Sequence, residues 1–295
     1  MYHSDLIGAL AARLAGNPPV AWGLHHSNLS PEFIKRSTLW TARTCARLSH
    51  YLPAAVVCCA ESTKQLHADF GYDERKLLVI PNGFDLDVFR PDPIARAEIR
   101  KELGIPADML VVGMLAKFHP QKDHRNFVRA AGSIRKQRDD IRFVLCGWSM
   151  DWNNEELVAW IDEAGIRDRI HLVPRRPDAN RVHASFDVAC LSSQGGEAMP
   201  LTIGEAMDCG VPCAVTDVGD AALLVGDTGR VARPRDPEAL AAACLAILSL
   251  DGEARRQLGR AARSRISERY SLSRVAAEYA GLHERLAART ELCPA

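Results

Sequence analysis

Apolar and polar residues follow one another along the chain in a pattern that predicts short strands separated by helices. Continuous apolar runs mark the strands, and segments with apolar residues three and four positions apart mark the helices. The predicted strands span residues 20–24, 54–59, 77–80, 109–115, 141–146, 170–173, 186–191 and 211–215, with short extended pieces at 222–224 and 229–231. The predicted helices span residues 6–15, 31–51, 62–70, 122–135, 154–163, 200–209, 237–249, 253–268 and 272–289. Strands that alternate with helices are typical of parallel βαβ units, so the sequence predicts an α/β fold.

The pattern divides into two domains and a final helix. Residues 1–92 contain three predicted strands, residues 93–270 contain a complete doubly wound sheet, and residues 271–295 form the last helix. Residues 81–93 combine turn residues with prolines and are predicted to be an interdomain linker. Three strands are about half of what a Rossmann-like domain uses, so we expect the first domain to be incomplete.

Composition narrows the class of protein without indicating a function. Of 295 residues, 47% are hydrophobic and 25% are charged, as in an ordinary soluble globular protein. The 37 basic and 37 acidic residues leave no net field that would attract nucleic acid. Cysteines lie in apolar runs, as at Cys58, Cys146 and Cys190, and no signal peptide is evident, which predicts a cytoplasmic location. No apolar run approaches the ~20 residues that span a bilayer.

The most informative chemistry lies in the glycine loop and helix that follow the predicted strand 186–191. Gly195 and the glycine after it allow the backbone to approach a ligand closely. Pro200 suits the first turn of a helix, where no N–H is needed. Two carboxylates stand in this stretch, Glu197 in the loop and Glu205 inside the helix.

The start of this helix is predicted to bind an anion. Its first free amides, from about Leu201 to Ile203, would face a negatively charged ligand. A carboxylate nearby is poorly suited to phosphate but well suited to the hydroxyls of a ribose or a sugar. The alternative is a solvated acidic helix, because two glutamates at this spacing are common on exposed helices.

Lys117 and Lys122 form a second candidate group, in the segment G-M-L-A-K-F-H-P-Q-K-D-H that follows the predicted strand 109–115. Ligands of open α/β sheets bind at this carboxyl edge of the strands. Two cations on one loop there can clamp a diphosphate and neutralise charge as a leaving group departs. The alternative is a basic loop that only faces solvent.

These motifs together resemble a known family. The pair Glu197 and Glu205, followed by A-M-x-x-G-V-P, resembles the donor-site signature of retaining, nucleotide-sugar-dependent glycosyltransferases of the glycosyl transferases group 1 family. The linker I-P-N-G-F-D is similar to the hinge entry of the same family, and the resemblance covers nearly the whole chain. It implies the GT-B fold, in which two Rossmann-like domains face each other across a cleft and the final helix packs back on the N-terminal domain.

The resemblance also implies roles for particular residues. Lys117 and Lys122 would stabilise the departing diphosphate, Glu197 would orient the donor hexose, and Glu205 would hold the ribose hydroxyls. His3 matches a catalytic histidine of the N-terminal domain. The remaining positions implied for donor binding are Met199, Pro200, Leu201, Thr202, Gly147, Arg176 and His26. The lysines and the helix start supply the positive charge, so no metal and no cofactor are expected.

The chain departs from the family pattern in three places. Lys117 stands where arginine is usual, which keeps the charge but loses the bidentate fork. Ala198 and Met199 stand where Gly-Phe is common. The glycine-rich first loop of the family would precede every residue present, so we expect the front of the N-terminal domain to be missing.

The reaction that the resemblance implies moves a sugar from a nucleotide diphosphate sugar, with UDP or GDP as its nucleotide, to a hydroxyl acceptor with retention, in cell-surface polysaccharide or glycolipid synthesis. The acceptor would be a lipid-linked or oligosaccharide glycan. Alternatives are a non-catalytic nucleotide-sugar-binding partner or inactive fragment, and a nucleotide-sugar epimerase on the same fold. A dehydrogenase is disfavoured, because no G-x-G-x-x-G follows a predicted strand.

The predicted helix 31–51 suggests a further partner. Its basic residues are interleaved with apolar ones and with Trp40, and such a helix can lie on anionic lipid at the inner face of a membrane. The alternative is a basic helix that is simply solvated.

Overall fold

The computed structural model describes residues 2–29 and 34–291, with side chains as far as residue 288. The strands are β1 Ala21–Leu24, β2 Ala55–Cys58, β3 Leu77–Val79, β4 Leu110–Leu115, β5 Ile141–Gly147, β6 Ile170–Pro174, β7 Val188–Leu191, β8 Cys213–Thr216 and β9 Gly229–Ala232. The helices are α1 Tyr2–Leu14, α2 Arg36–Ser49, α3 Glu61–Asp69, α4 Pro93–Glu102, α5 His124–Arg135, α6 Glu155–Ala164, α7 Ala179–Ala184, α8 Leu201–Asp208, α9 Ala221–Val225, α10 Pro237–Leu248, α11 Gly252–Tyr270 and α12 Leu272–Glu291. The predicted α/β class is confirmed.

The first of two compact units is built on a parallel sheet of order β1-β2-β3. Strand β2 is buried on both faces, which explains its continuous apolar sequence. Val56 and Cys58 belong to the cluster that includes residues of α1 and α2, whereas Val57 joins the cluster that includes Val275 and Leu282 of α12. The last helix of the chain therefore packs on the opposite face of this sheet from α1 and α2.

The second unit contains a parallel six-stranded sheet of order β6-β5-β4-β7-β8-β9. The order of the strands reverses between β4 and β7, which makes their carboxyl ends the topological switch point where ligands of such sheets bind. Helices α5, α6 and α10 contribute to the main hydrophobic core. This unit carries most of the predicted donor site.

Three short helices differ from the sequence-based expectation. The predicted extended piece 222–224 is wrong, because these residues form α9, and a short apolar run does not by itself distinguish strand from helix. Helices α4 and α7 were not predicted. At α4 the Asp-Pro pair of the expected linker begins a helix instead, since Asp92 Oδ1 accepts a hydrogen bond from Ala95 N at 2.8 Å and Pro93 occupies the first turn.

The unit boundary lies earlier than the expected position after residue 92. The chain divides between Gly83 and Phe84, and again between Ser271 and Leu272. Phe84 is buried in the second unit, where its N–H donates to Tyr270 O at 2.9 Å. A Cβ added to Gly204 would lie 2.0 Å from Cζ of the Phe84 ring, so the predicted linker is anchored against helix α8.

The predicted helix 31–51 corresponds to α2, which begins at Arg36. Residues 31–33 of that prediction lie outside the described residues, as do residues 292–295 of the predicted final segment. Within the described part of the chain, no helix is both long and apolar enough to cross a bilayer.

Candidate active site

Hydrogen bonds fix the loop after β4 to the loop after β7 at the switch point. The backbone N–H of Gln194 donates to Gln121 O at 2.9 Å, and its side-chain Nε2 donates to Pro120 O at 2.7 Å. Ser192 Oγ donates to Lys122 O at 2.7 Å. These hydrogen bonds hold the backbone of Lys122 at this edge of the sheet, so its side chain extends from a backbone of fixed position.

The two lysines of the β4 loop lie close to one histidine. Lys117 is exposed and Lys122 is half-buried. Burial, and then the charges of Lys117 and Lys122, lower the pKa of His119. The charges of both lysines therefore act on the same imidazole of the β4 loop.

The start of helix α5 is capped by a side chain of the protein. Asp123 adopts a left-handed conformation with φ of 45° and caps the helix by accepting a hydrogen bond from Asn126 N at 3.2 Å. His124 is buried, its ring centroid lies 5.4 Å from that of Phe118, and burial lowers its pKa to about 4. This histidine is therefore neutral near pH 7 and serves the packing of the core.

The start of helix α8 presents fewer free amides than the sequence suggested. Pro200 is the extended residue before the helix, and its carbonyl accepts from Ile203 N at 3.1 Å and from Gly204 N at 3.3 Å. The expectation that the Ile203 amide faces a ligand is therefore wrong. Leu201 and Thr202 precede it in the first turn, where backbone amides have no partner within the helix and can face an anion.

Glu205 lies in the second turn of α8 beside a histidine that sequence reasoning did not select. Its Oε2 is 3.5 Å from Nε2 of His183 in α7, and the two side chains are 23% and 2% exposed respectively. His183 escaped notice because it lies in a helix of six residues, too short to show a helical pattern. A polar ring within the apolar run V-H-A-S-F was the signal that could have identified it.

Gly147 ends β5 at a point where no side chain fits. Its φ is 154°, and an added Cβ would lie 2.0 Å from Ala116 O at the end of β4. Glycine is therefore required by the close approach of the two strand ends, whether or not a ligand binds beside it. This steric reason is independent of the role that the family resemblance implies.

Arg176 follows β6 and is held by carboxylates of its own unit. Its Nε and Nη2 donate to the two carboxylate oxygens of Asp178, each at 2.8 Å, and Nη1 donates to Glu102. These hydrogen bonds raise the pKa of the guanidinium. Arg176 thus links the end of β6 to helix α4. Its predicted role in donor binding is a separate one.

A tryptophan near these strand ends was also missed by sequence reasoning. Trp148 follows Gly147 directly, is 62% exposed, and has the guanidinium of Arg175 5.1 Å from its ring centroid. An aromatic residue directly after a strand-ending glycine was the available signal. Its open face can stack with a planar ligand.

The predicted histidines lie in the first unit. His3 is exposed, and its Nε2 is 3.1 Å from Thr41 Oγ1 within hydrogen-bonding distance. His26 is half-buried, with its ring stacked 6.2 Å from that of Tyr2, and burial lowers its pKa. Each histidine therefore has neighbours within its own unit that position its ring.

Glu197 and Met199 also belong to the first unit. The segment Gly196–Met199 is grouped with it, although the residues on either side belong to the second unit. Glu197 is 9% exposed and Met199 is 7% exposed. The predicted site residues thus fall into two sets, of which Lys117, Lys122, Gly147, Arg176, Pro200, Leu201, Thr202 and Glu205 lie in the second unit.

Comparison with known proteins identifies both parts of the chain. Residues 95–265 match the glycosyl transferases group 1 family, and residues 1–88 match glycosyltransferase family 4. The putative glycosyltransferase EpsF of Bacillus subtilis is 26% identical over 216 residues, 71% of this chain and 54% of that protein. The Escherichia coli UDP-Gal:alpha-D-GlcNAc-diphosphoundecaprenol alpha-1,3-galactosyltransferase is 30% identical over 231 residues, 75% of this chain and 57% of that protein. The chain spans little more than half the length of these relatives.

Solved structures share the fold. HepE of Anabaena, solved with UDP, is 22% identical with a TM-score of 0.87, covering 97% of this chain and 77% of that one. Sucrose-phosphate synthase of Thermosynechococcus elongatus is 21% identical with a TM-score of 0.82, covering 98% of this chain and 72% of that one. The α/β fold with parallel sheets is that of GT-B glycosyltransferases.

Proposed function

We propose that this chain, which belongs to the glycosyl transferases group 1 family, transfers a sugar from a nucleotide diphosphate sugar to a hydroxyl acceptor and retains the anomeric configuration. The observation that carries the proposal is the pair of hydrogen-bonded loops at the switch point. They hold the backbone of Lys122 at the sheet edge, on a loop that also carries Lys117.

Each residue of the second unit would have a distinct task. Lys117, Lys122 and the amides of Leu201 and Thr202 would neutralise the charge that develops on the diphosphate as the bond to the sugar breaks. Glu205 would accept hydrogen bonds from the ribose hydroxyls. These groups supply positive charge without a metal, and we propose a metal-independent reaction.

Residues of the first unit would contact the donor sugar and the acceptor. Glu197 would orient the donor hexose, with Met199 beside it, and His3 and His26 would act near the sugar and the acceptor hydroxyl. The family resemblance is the support for these roles. In that family a donor phosphate oxygen is thought to help deprotonate the acceptor, so no carboxylate base is required.

Trp148 would provide a surface for the donor base, because it is exposed at the carboxyl end of β5. We propose UDP as the donor nucleotide, because the E. coli relative is named for UDP-Gal. The name of the E. coli enzyme also supports a lipid-linked glycan as acceptor. GDP remains the alternative donor nucleotide.

A second candidate is a protein that binds a nucleotide sugar without transferring it. The described part of the first unit holds three strands, whereas the second unit has a six-stranded sheet. The nucleotide-binding part of a donor site could therefore be complete in the second unit while the acceptor side is not. Nucleotide binding without turnover would identify this case.

The proposal is tested by melting the protein with UDP, GDP or ADP. We expect one of these nucleotides to raise the melting temperature, because a ligand that binds only the folded state adds about 2.7 kcal/mol of stability at a hundredfold excess over Kd. The same nucleotide's sugar conjugates are then assayed for transfer to lipid-linked and oligosaccharide acceptors. A folded protein that responds to none of the three nucleotides would overturn the proposed function.

We also propose a peripheral contact with anionic membranes through α2. Arg36, Trp40, Arg43 and Arg47 are spaced for one face of this helix, and all four are exposed, Trp40 to 71%. A basic helix face with an exposed tryptophan suits the surface of an anionic bilayer.

Vesicle flotation tests this contact. We expect the protein to float with vesicles rich in phosphatidylglycerol and to remain free with phosphatidylcholine vesicles. Arg43→Ala should weaken binding by about 1 kcal/mol, the usual contribution of one basic residue near an anionic surface. Lys101→Ala, an exposed cation at the end of α4, is the matched control. Equal binding to both kinds of vesicle would contradict the contact.

A further inference from the structure

A buried histidine faces the carboxylate of Glu205 from a neighbouring helix. Nε2 of His183 lies 3.5 Å from Oε2 of Glu205. The imidazole packs against two aromatic rings, with its centroid 6.4 Å from that of Phe89 and 6.0 Å from that of Phe186. Among the described residues, neither of its ring nitrogens has a hydrogen-bond partner.

The burial of this ring makes Glu205 its natural partner. Two aromatic neighbours supply packing but no conventional hydrogen-bond acceptor, and a buried imidazole N–H without an acceptor is unfavourable. A neutral imidazole with its proton on Nε2 can donate to Oε2, and a contact of 3.5 Å needs only a small side-chain adjustment to become a hydrogen bond. The interaction therefore does not require a charged histidine.

A carboxylate held in this way is prepared for hydroxyl donors. Each of its oxygens has two lone pairs, so Oε1 and the second lone pair of Oε2 stay available when His183 donates to Oε2. Glu205 is 23% exposed, which leaves it accessible to a ligand. A fixed carboxylate binds two adjacent hydroxyls better than a mobile one, because less side-chain freedom is lost on binding.

We propose that His183 is a positioning residue that holds the Glu205 carboxylate in the orientation that accepts the donor ribose hydroxyls, and that it thereby sets the preference for ribonucleotides over deoxyribonucleotides. This inference rests on the proposed function, since it assigns the ribose to Glu205. His183 does not touch the ligand. Its effect appears in how well Glu205 distinguishes a ribose from a deoxyribose.

The test measures this preference directly. Kd values are determined by calorimetry for UDP and 2′-deoxy-UDP, and for GDP and 2′-deoxy-GDP, on the wild type, His183→Phe, His183→Gln and Glu205→Gln. Phenylalanine preserves the ring and its packing but removes both nitrogens. Glutamine restores an N–H donor. The double variant of His183→Phe with Glu205→Gln shows whether the effects of the two substitutions are coupled.

We expect the wild type to prefer the ribonucleotide about tenfold, the effect of one hydrogen bond to a charged group. His183→Phe should lose most of that preference, His183→Gln should recover part of it, and the double variant should resemble Glu205→Gln alone. A purely structural role would lower the melting temperature and leave the ratio of the two Kd values unchanged.

Two results would separate the possible failures. If Glu205→Gln abolishes the preference while His183→Phe keeps it at the wild-type value, the positioning role is overturned and the proposed donor site stands. If the folded wild type binds neither ribonucleotide, the proposed function itself fails, and the inference fails with it. Should His183→Phe not fold, His183→Leu and its double variant with Glu205→Gln provide the same decision, because leucine is apolar and also lacks a hydrogen-bond donor.

Discussion

Lys122→Ala is expected to lower kcat for sugar transfer about 10²–10³-fold, the usual effect of removing one fixed group that stabilises developing negative charge. The backbone of Lys122 is held by Ser192 Oγ at 2.7 Å, so the substitution should leave the loop in place and remove only the cation. Steady-state kinetics with a saturating donor measure this effect. Lys117→Ala should have a smaller effect, because Lys117 is exposed and its charge is screened by water.

Two further variants control this experiment. Lys122→Arg keeps the charge and should retain more activity than Lys122→Ala. Lys136→Ala removes an exposed cation at the other end of α5 and should leave kcat unchanged. If Lys122→Ala is folded and fully active, the β4 loop is only a solvated basic loop and the diphosphate clamp is wrong.

Asp187→Ala is expected to destabilise the second unit by about 3–5 kcal/mol, since it leaves a buried guanidinium without its counter-charge. Asp187 Oδ2 accepts from Arg100 Nη2 at 2.6 Å and from Val111 N at 2.7 Å, and Oδ1 accepts from Arg96 Nη2 at 2.7 Å. Asp187 is 8% exposed and Arg100 is 6% exposed. The carboxylate of Asp187 thus joins helix α4 to strand β4.

Urea and thermal unfolding of the variant measure this loss. Asp140→Ala is the matched control, because Asp140 pairs with Arg138 at 2.6 Å but is 46% exposed, and such pairs contribute at most about 1 kcal/mol. A loss for Asp187→Ala no larger than that of the control would show that water replaces the carboxylate. Nucleotide binding should weaken only as far as the fold does, because Asp187 lies at the amino end of β7, whereas the donor loops follow the carboxyl ends of β4 and β7.

Much of the fold could be predicted from the sequence alone, because strands that are buried on both faces consist largely of apolar residues. Strands β2, β7 and β8 are buried at every position, and each appears in the sequence as an apolar run, interrupted only by Thr216 at the end of β8. Helix α8 ends at Cys209 and Gly210 as predicted, with Gly210 at a φ of 73°. The family resemblance based on Glu197 and Glu205 is confirmed by the match over residues 95–265.

Short helices and ambiguous pairs of residues were less predictable. Asp92 and Pro93 suit both a linker and a helix start, and only their surroundings select the helix. Helices α7 and α9 have six and five residues, fewer than two helical turns, so no periodicity distinguishes them. The position of the unit boundary depends on where the ring of Phe84 is buried, which its neighbours in sequence do not reveal.

The sequence by itself determined the α/β class, the strands and most of the helices, the family, and the residue types available for a donor site. Local periodicity and motif spacing carry this information because they depend on residues close together in the chain. Only the tertiary structure decided that Ser192 and Gln194 hold the lysine loop, that Arg176 is braced by carboxylates, and that His183 faces Glu205. Except for the Arg176–Asp178 pair, these contacts join residues distant in sequence, and strand order and helix packing bring them together.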